Sequence, residues 1–272
     1  MNSNYYKYYT IQKSVLLCYK AIKKNIKIDR NDLLIEPSAG NGAFIKYIKK
    51  LSDNFIFYDI KPEHNDIIKK DFLKVKIENI NNINNRNFKN IHIIGNPPFG
   101  NKSSIAIKFI KHSANLNAKT IAFILPVSFN KASFRKAFPM NYHLIYNKNM
   151  PDYSFKKNDE IVNIKTTFQI WEKRDYNRKI IKKLKTSQWY NFSKKTDCDI
   201  SIRRVGFSSG IAKICEDKDN ENTNWFIKTN IKDKKQLMKK LNIMNKIKYN
   251  FKNNVGAYSI SKQDIIAKYN KI

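Results

Sequence analysis

The chain has 272 residues, enough for one large domain or a catalytic domain with a smaller appendage. Its 53 Lys and Arg against 22 Asp and Glu leave a formal charge of +31, while 42% apolar residues allow a sizeable core. That balance excludes a disordered polyelectrolyte and favours an anionic partner, either nucleic acid or a membrane surface. Abundant Lys, Asn, Ile and Tyr suggest an AT-rich coding sequence, which accounts for many lysines but not for the shortage of acids.

The first residues, Met1-Asn2-Ser3-Asn4-Tyr5, lack the apolar stretch of a signal peptide. A strand is expected over 32–35 and a helix with apolar positions at helical spacing over 43–51. A second strand over 55–58 ends on Asp59, and an Asn-rich loop is expected over 79–90. The strand at 91–94 runs into Gly95-Asn96-Pro97-Pro98, followed by a helix over 104–114. A strand over 120–125 stops at Pro126, and 142–146 with 164–171 read as two closing strands, an antiparallel pair. The longest apolar run, 121–125, is too short to span a bilayer, so a soluble, intracellular (cytoplasmic) protein is expected. Alternation of strand and helix predicts a doubly wound α/β sheet with ligands at the carboxyl ends of its strands.

A boundary is expected near the charged run at 174–185, giving a catalytic domain over 1–175 and a basic C-terminal nucleic-acid-binding region over 176–272. The first carries a net +16 and the second +15 in little more than half the length. Positions 101–150 hold eight Lys or Arg and no acid. Cys18, Cys198 and Cys215 fit no CxxC spacing and the four histidines are scattered, so neither a zinc site nor a disulfide framework is implied and a reducing compartment fits.

Two segments carry chemistry. In Leu33-Leu34-Ile35-Glu36-Pro37-Ser38-Ala39-Gly40-Asn41-Gly42-Ala43-Phe44 a strand enters a tight two-glycine turn and then a helix, so a ligand can approach the backbone closely. Asp59 ends the next strand nineteen residues after Gly40, positioned to bind two ribose hydroxyls. The third glycine of a G-x-G-x-x-G fingerprint is missing, since Phe44 and Ile45 follow Ala43. The second segment is Asn96-Pro97-Pro98-Phe99-Gly100, where two prolines stiffen a turn at a strand end. The N6 amine of adenine is a poor nucleophile because its lone pair is delocalised into the ring. Asn96 Oδ1 and the Pro97 carbonyl can each accept one of its N–H bonds, favouring a pyramidal amine, and Phe99 offers a face for a flipped base.

In these residues and their order, the chain resembles the amino-methyltransferases, specifically the adenine-N6 branch, and its motif order is similar to the gamma class of DNA adenine methyltransferases, including TaqI-type enzymes. The resemblance covers roughly 8–174 and implies a Rossmann-like class I methyltransferase sheet using S-adenosyl-L-methionine, with a small basic C-terminal region beyond it. It implies that Thr10 touches the methionine carboxylate, and that Glu36, Pro37 and the Gly40-Asn41-Gly42 turn hold the methionine moiety. It implies that Asp59 binds ribose, that Ile60 packs on the cofactor adenine, and that Asp71 of Asp71-Phe72 accepts a hydrogen bond from that adenine. Asp71 also reads as a solvated helix cap. Phe155 would form a second aromatic wall around the target base, although Tyr153 lies two residues away and either also fits a core position.

In the tail, Arg203 and Arg204 within an alternating stretch at 200–207 suit phosphate or base-edge contacts, or a solvated strand face. Trp189, Tyr190 and Trp225 suit stacking or a core. The function expected is methylation of adenine N6 in DNA. Its rivals are an RNA adenine-N6 enzyme, a protein glutamine methyltransferase, which typically has Tyr where Phe99 stands, and a non-catalytic nucleic-acid-binding subunit of the same fold.

Overall fold

In the computed structural model, residues 8–81, 88–180, 182–254 and 256–272 are described. The chain forms two compact units, Met1–Lys179 and Ile180–Ile272.

The first unit runs β1 (Tyr9–Thr10), α1 (Gln12–Asn25), β2 (Leu33–Glu36), α2 (Ile45–Ile48), β3 (Asn54–Asp59), β4 (Ile68–Lys69), α3 (Ile77–Asn81), β5 (Ile91–Gly95), α4 (Ser104–Asn115), β6 (Thr120–Pro126), α5 (Ala132–Arg135), β7 (Tyr142–Asn149), β8 (Phe155–Lys157), β9 (Glu160–Val162) and β10 (Thr166–Lys173). Seven strands form one sheet in the order β4-β3-β2-β5-β6-β10-β7. Its first five are parallel, and β10 lies antiparallel between β6 and β7.

Alternate residues of the central strands go to opposite faces, and both faces are covered. Leu33, Ile35, Ile93, Ile121 and Phe123 join one core cluster. Leu34, Ile94, Ala122 and Ile124 join the other, with Val15, Cys18 and Ile22 of α1. Strand order reverses between β2 and β5, because the chain moves outward through β3 and β4 and then returns to the other side of β2. That reversal opens a crevice at the carboxyl ends of β2 and β5, where Glu36 and Asn96 stand.

Three expectations need correction. Helix α1 was not anticipated, because its buried positions are separated by lysines and polar residues that mask the apolar stripe. The helix expected over 43–51 shortens to α2, after which Lys50 N and Leu51 N donate to residues three back, a tighter turn than an α-helix. Helix α3 enters the stretch expected to be a loop, whose residues 82–87 lie outside the described residues. Met1 to Tyr5, read above for a leader, also lie outside them.

The second unit contains β11 (Tyr190–Phe192), β12 (Ile200–Arg203), β13 (Ala212–Ile214), β14 (Asn224–Thr229), α6 (Lys234–Asn245) and α7 (Lys262–Tyr269). Its antiparallel sheet has the order β11-β14-β12-β13. Tyr190, Ile200, Ile202 and Ile227 of the sheet share one core with Leu241 and Met244 of α6 and Ile265 and Tyr269 of α7. Asp233 caps α6 through Gln236 N, and Ser261 with Asp264 forms a reciprocal capping box on α7. Tyr190 is therefore a core residue, not a stacking surface.

The cysteine reading is also corrected, because Cys198 and Cys215 are joined in a disulfide with Cα atoms 6.1 Å apart. Pairing of Ile200 with Ile214 brings the two together at the open end of the β12–β13 hairpin, a proximity that seventeen residues of separation conceal. The cysteine-based reason for expecting a reducing compartment is thereby removed. Among the described residues, no helix is long and apolar enough to cross a membrane.

Candidate active site

The glycine turn after β2 closes through hydrogen bonds from Ala39 N to Tyr58 O (2.9 Å) and from Gly42 N to Ala39 O (2.8 Å). Gly42 has φ +82°, and a Cβ there would lie 2.7 Å from Ile45 Cδ1 and 3.3 Å from the His64 ring. A side chain at Gly42 would thus be both strained and obstructed. Asp59 ties this turn to the end of β3. Its Oδ2 accepts Gly40 N and its Oδ1 accepts Lys61 N, both at 2.8 Å. The nineteen-residue spacing therefore corresponds to a direct contact. Ile60, beside it, is 63% exposed, an apolar surface left open at the mouth of the turn.

Tyr9, which precedes Thr10 in the segment that carries the resemblance, and Glu63, which sequence reasoning passed over, complete this wall. The Tyr9 ring lies against Gly40, at 3.5 Å from an added Cβ, and its hydroxyl donates to Glu63 Oε1 at 2.6 Å. Glu63 N in turn donates to Gly40 O at 3.0 Å. No local pattern marks Glu63, because it acts through partners distant in sequence.

Glu36 is buried, and its Oε2 has no hydrogen-bond partner among the described residues. Burial, and then the negative charge of Asp59, hold its carboxyl well above the ordinary carboxylate range. A buried carboxylate without a partner is costly unless a cation meets it, and the ammonium of a bound methionine moiety is such a cation. The residues therefore fit the methionine end of S-adenosylmethionine. Because the folded value is raised, Glu36 favours the folded state below the ordinary value of 4.5, and that contribution is lost as pH rises through the raised value. Glu36→Gln should accordingly flatten the decline in Tm of the unliganded chain as pH rises above the ordinary value of 4.5. Thermal melts across that range check this, and parallel curves for parent and variant would mean that Glu36 is ionised and partnered.

The second wall follows β5. Ser38 Oγ of the glycine turn donates to Asn96 O at 3.1 Å, linking the two candidate loops directly. The Asn96 amide donates through Nδ2 to Thr10 Oγ1 at 3.3 Å, while Oδ1 is buried with no partner among the described residues. A buried acceptor left open in this way costs about 1–3 kcal/mol, so it stands ready for a donor from outside. Gly100 has φ +69°, and a Cβ there would meet Ile105 Cγ1 at 2.5 Å. The Phe99 carbonyl accepts Ile105 N and Ala106 N, which anchors the turn on the first residues of α4. Phe99 itself is half-buried against the core, Pro97 is buried and Pro98 exposed.

The structure brings Thr10, Glu36, Pro37, Gly40, Asp59 and Asn96 to one crevice. Asn41 is exposed in the glycine turn. Thr10 meets Asn96, a partner the sequence did not suggest. Asp71 caps the turn after it, its Oδ1 accepting Leu73 N at 3.0 Å. Phe72 cannot line a ligand, because its ring is buried against Phe109 and His112. Phe155 is likewise corrected. It pairs with Thr10 across β1 and β8, and its ring is wholly buried in the core cluster containing Val15 and Phe168. Tyr153, held at φ +59°, is the exposed aromatic of that segment at 59%. Arg203 and Arg204 belong to the other unit. Arg203 Nη1 donates to Thr223 Oγ1 at 2.9 Å, and the Arg204 guanidinium lies 4.3 Å from the centre of the Trp225 ring.

The family model described as the EDM2 methyltransferase-like domain matches residues 31–188, more than half of the chain. No curated protein matches it. Among solved structures, the 23S rRNA methyltransferase ErmE is similar with a TM-score of 0.44 and 11% identity, over 62% of this chain and 71% of that one. A Listeria monocytogenes protein described as a class I S-adenosylmethionine-dependent methyltransferase has a TM-score of 0.46 and 15% identity, over 64% and 63%. TrmN from Thermus thermophilus has a TM-score of 0.38 and 12% identity, over 59% and 49%. The chain thus spans between 49% and 71% of these proteins. None of these likenesses bears on which residues act. The strand order and the family match together identify the α/β, Rossmann-like class I methyltransferase sheet expected above.

Proposed function

The chain belongs to the EDM2 methyltransferase-like domain family, and from that premise we propose that it methylates the exocyclic N6 amine of adenine in DNA. Its cofactor is S-adenosylmethionine, which when bound supplies a methyl group made electrophilic by the sulfonium. The observation that carries the reading is the buried, unpartnered Asn96 Oδ1, oriented by Thr10 at the strand reversal and joined through Ser38 to the glycine turn.

Asn96 Oδ1 accepts one N–H of the adenine amine, the Pro97 carbonyl accepts the other, and Phe99 stacks on the base. Both acceptors draw the amine from planar to pyramidal, so that its lone pair is free to form the new N–C bond. The methyl would come from the bound cofactor, whose sulfur would retain the pair of the broken S–C bond, and the surplus proton on the amine leaves to solvent. Glu36 and the Gly40–Gly42 turn would hold the methionine moiety, and Asp59 and Ile60 would hold the adenosine. This set resembles that of the Asn-Pro-Pro-Phe amino-methyltransferases. It suits an intracellular enzyme, where the cofactor and polynucleotides meet.

The +31 charge supports a polynucleotide acceptor over a protein one. Transfer of labelled methyl to duplex DNA, single-stranded DNA and total RNA tests the acceptor. Preferential labelling of DNA is expected, and labelling of RNA alone would replace DNA by RNA in this reading.

The basic C-terminal unit is proposed to hold the phosphate backbone through Arg203 and Arg204. Replacing both by Ala should reduce the slope of log affinity against log salt by about one to two. Titrations at several salt concentrations measure this. An unchanged slope would assign both arginines to the Thr223 and Trp225 contacts alone.

A further inference from the structure

Phe207 is 98% exposed, although burial of a phenylalanine is normally a driving force of folding. It is not on a frayed loop. The turn between β12 and β13 is fastened on both sides to the segment before α7. Gly206 N donates to Tyr258 O, and Ile260 N to Arg204 O, each at 2.9 Å. Ser209 Oγ donates to Gly206 O at 2.7 Å and to Tyr258 O at 3.1 Å. Gly210, at φ +102°, packs so tightly on Tyr249 that a Cβ would lie 2.5 Å from its ring.

Behind Phe207 the rings continue. Tyr258, 43% exposed, meets Phe207 edge-to-face at 5.9 Å and stacks on Phe251 at 4.5 Å with an interplanar angle of 16°. Of this ladder, Phe207 is almost fully open to solvent and Tyr258 partly so. The surroundings are cationic. Residues 180–272 carry 21 Lys and Arg against 8 Asp and Glu, with exposed Arg203 at the base of the turn and exposed Lys252 beside Phe251.

We propose that Phe207 and Tyr258 form a base-stacking platform for unpaired nucleotides of a single-stranded nucleic acid. Open aromatic faces within a positive field are what such a strand requires, whereas a duplex keeps its base faces occupied by one another. The platform extends the nucleic-acid reading above to a second site, remote in sequence from the Asn96 turn, and rests on it only for the class of partner. It binds the strand and takes no part in the chemistry.

The test uses the full chain without cofactor and measures fluorescence anisotropy of a labelled single-stranded oligonucleotide of about 12 nucleotides, a length within the range such sites cover. Phe207→Ala should weaken binding roughly tenfold, the loss expected for about one stacked base, while leaving the salt slope unchanged because no charge is removed. Phe207→Tyr should bind as the parent does, and a duplex of equal length should respond little to either variant. Superimposable thermal melts of parent and Phe207→Ala exclude unfolding as the cause. Equal single-strand affinity of parent and Phe207→Ala would overturn the platform and leave the adenine reading standing. Failure of the parent to bind any oligonucleotide would overturn both. If Phe207→Ala instead abolished flotation with anionic lipid vesicles, or converted a dimer to a monomer in sedimentation, with oligonucleotide affinity unchanged, Phe207 would be a membrane or self-association contact.

Discussion

Asn96→Ala should lower methyl transfer by about 10²–10³-fold, the range lost when one preorganised polar contact to a transition state is removed. Cofactor affinity should change little, because the Asn96 side chain bonds Thr10 and leaves Oδ1 free, while the glycine turn and Asp59 are held by separate contacts. The interaction removed strengthens as the amine becomes pyramidal, so its loss falls on the rate and not on ground-state binding. Single-turnover kinetics with separately measured cofactor binding distinguish the two. A variant that turned over like the parent would remove amine activation from the mechanism. A variant that lost cofactor and turnover in equal proportion would make Asn96 a prop for the pocket.

Asp59→Ala should have the opposite profile. Its carboxylate organises the turn through Gly40 N and Lys61 N, and each oxygen retains a lone pair for a ribose hydroxyl. Loss of hydrogen bonds to a charged group, at about 1.5–3 kcal/mol, should weaken S-adenosylmethionine binding by at least about tenfold. Turnover at saturating cofactor should survive, since Asp59 hydrogen-bonds Gly40 N and Lys61 N and not Asn96 or Phe99. Calorimetry measures the affinity directly. Unchanged binding would restrict Asp59 to holding the turn, and binding of NAD in place of S-adenosylmethionine would overturn the cofactor assignment.

What the sequence reveals follows from how local each feature is. The strands at Leu33–Glu36, Ile91–Gly95 and Thr120–Pro126 are legible because burial on both faces demands continuous apolar runs. The glycine turn and Asn96-Pro97-Pro98-Phe99 are legible because their backbones need particular residue types. Phe155 misleads because position along the chain does not tell what its ring packs against, and in the fold that ring lies in the cluster with Val15 and Phe168. Thr10 and Ser38 acquire their role only by folding, 86 and 58 residues from Asn96, so no spacing rule could link them to it. The Cys198–Cys215 disulfide is hidden for the same reason, since it depends on the β12–β13 register.

The most direct measurement is to incubate the chain with S-adenosylmethionine carrying a labelled methyl group and the polynucleotide it accepts, digest the product to nucleosides, and identify the labelled one. The expected result is label in N6-methyladenine nucleoside with the parent chain and almost none with Asn96→Ala. Label in a methylated cytosine or in protein, or equal N6-methyladenine from parent and variant, would contradict the assignment of Asn96 as the acceptor that activates an adenine amine.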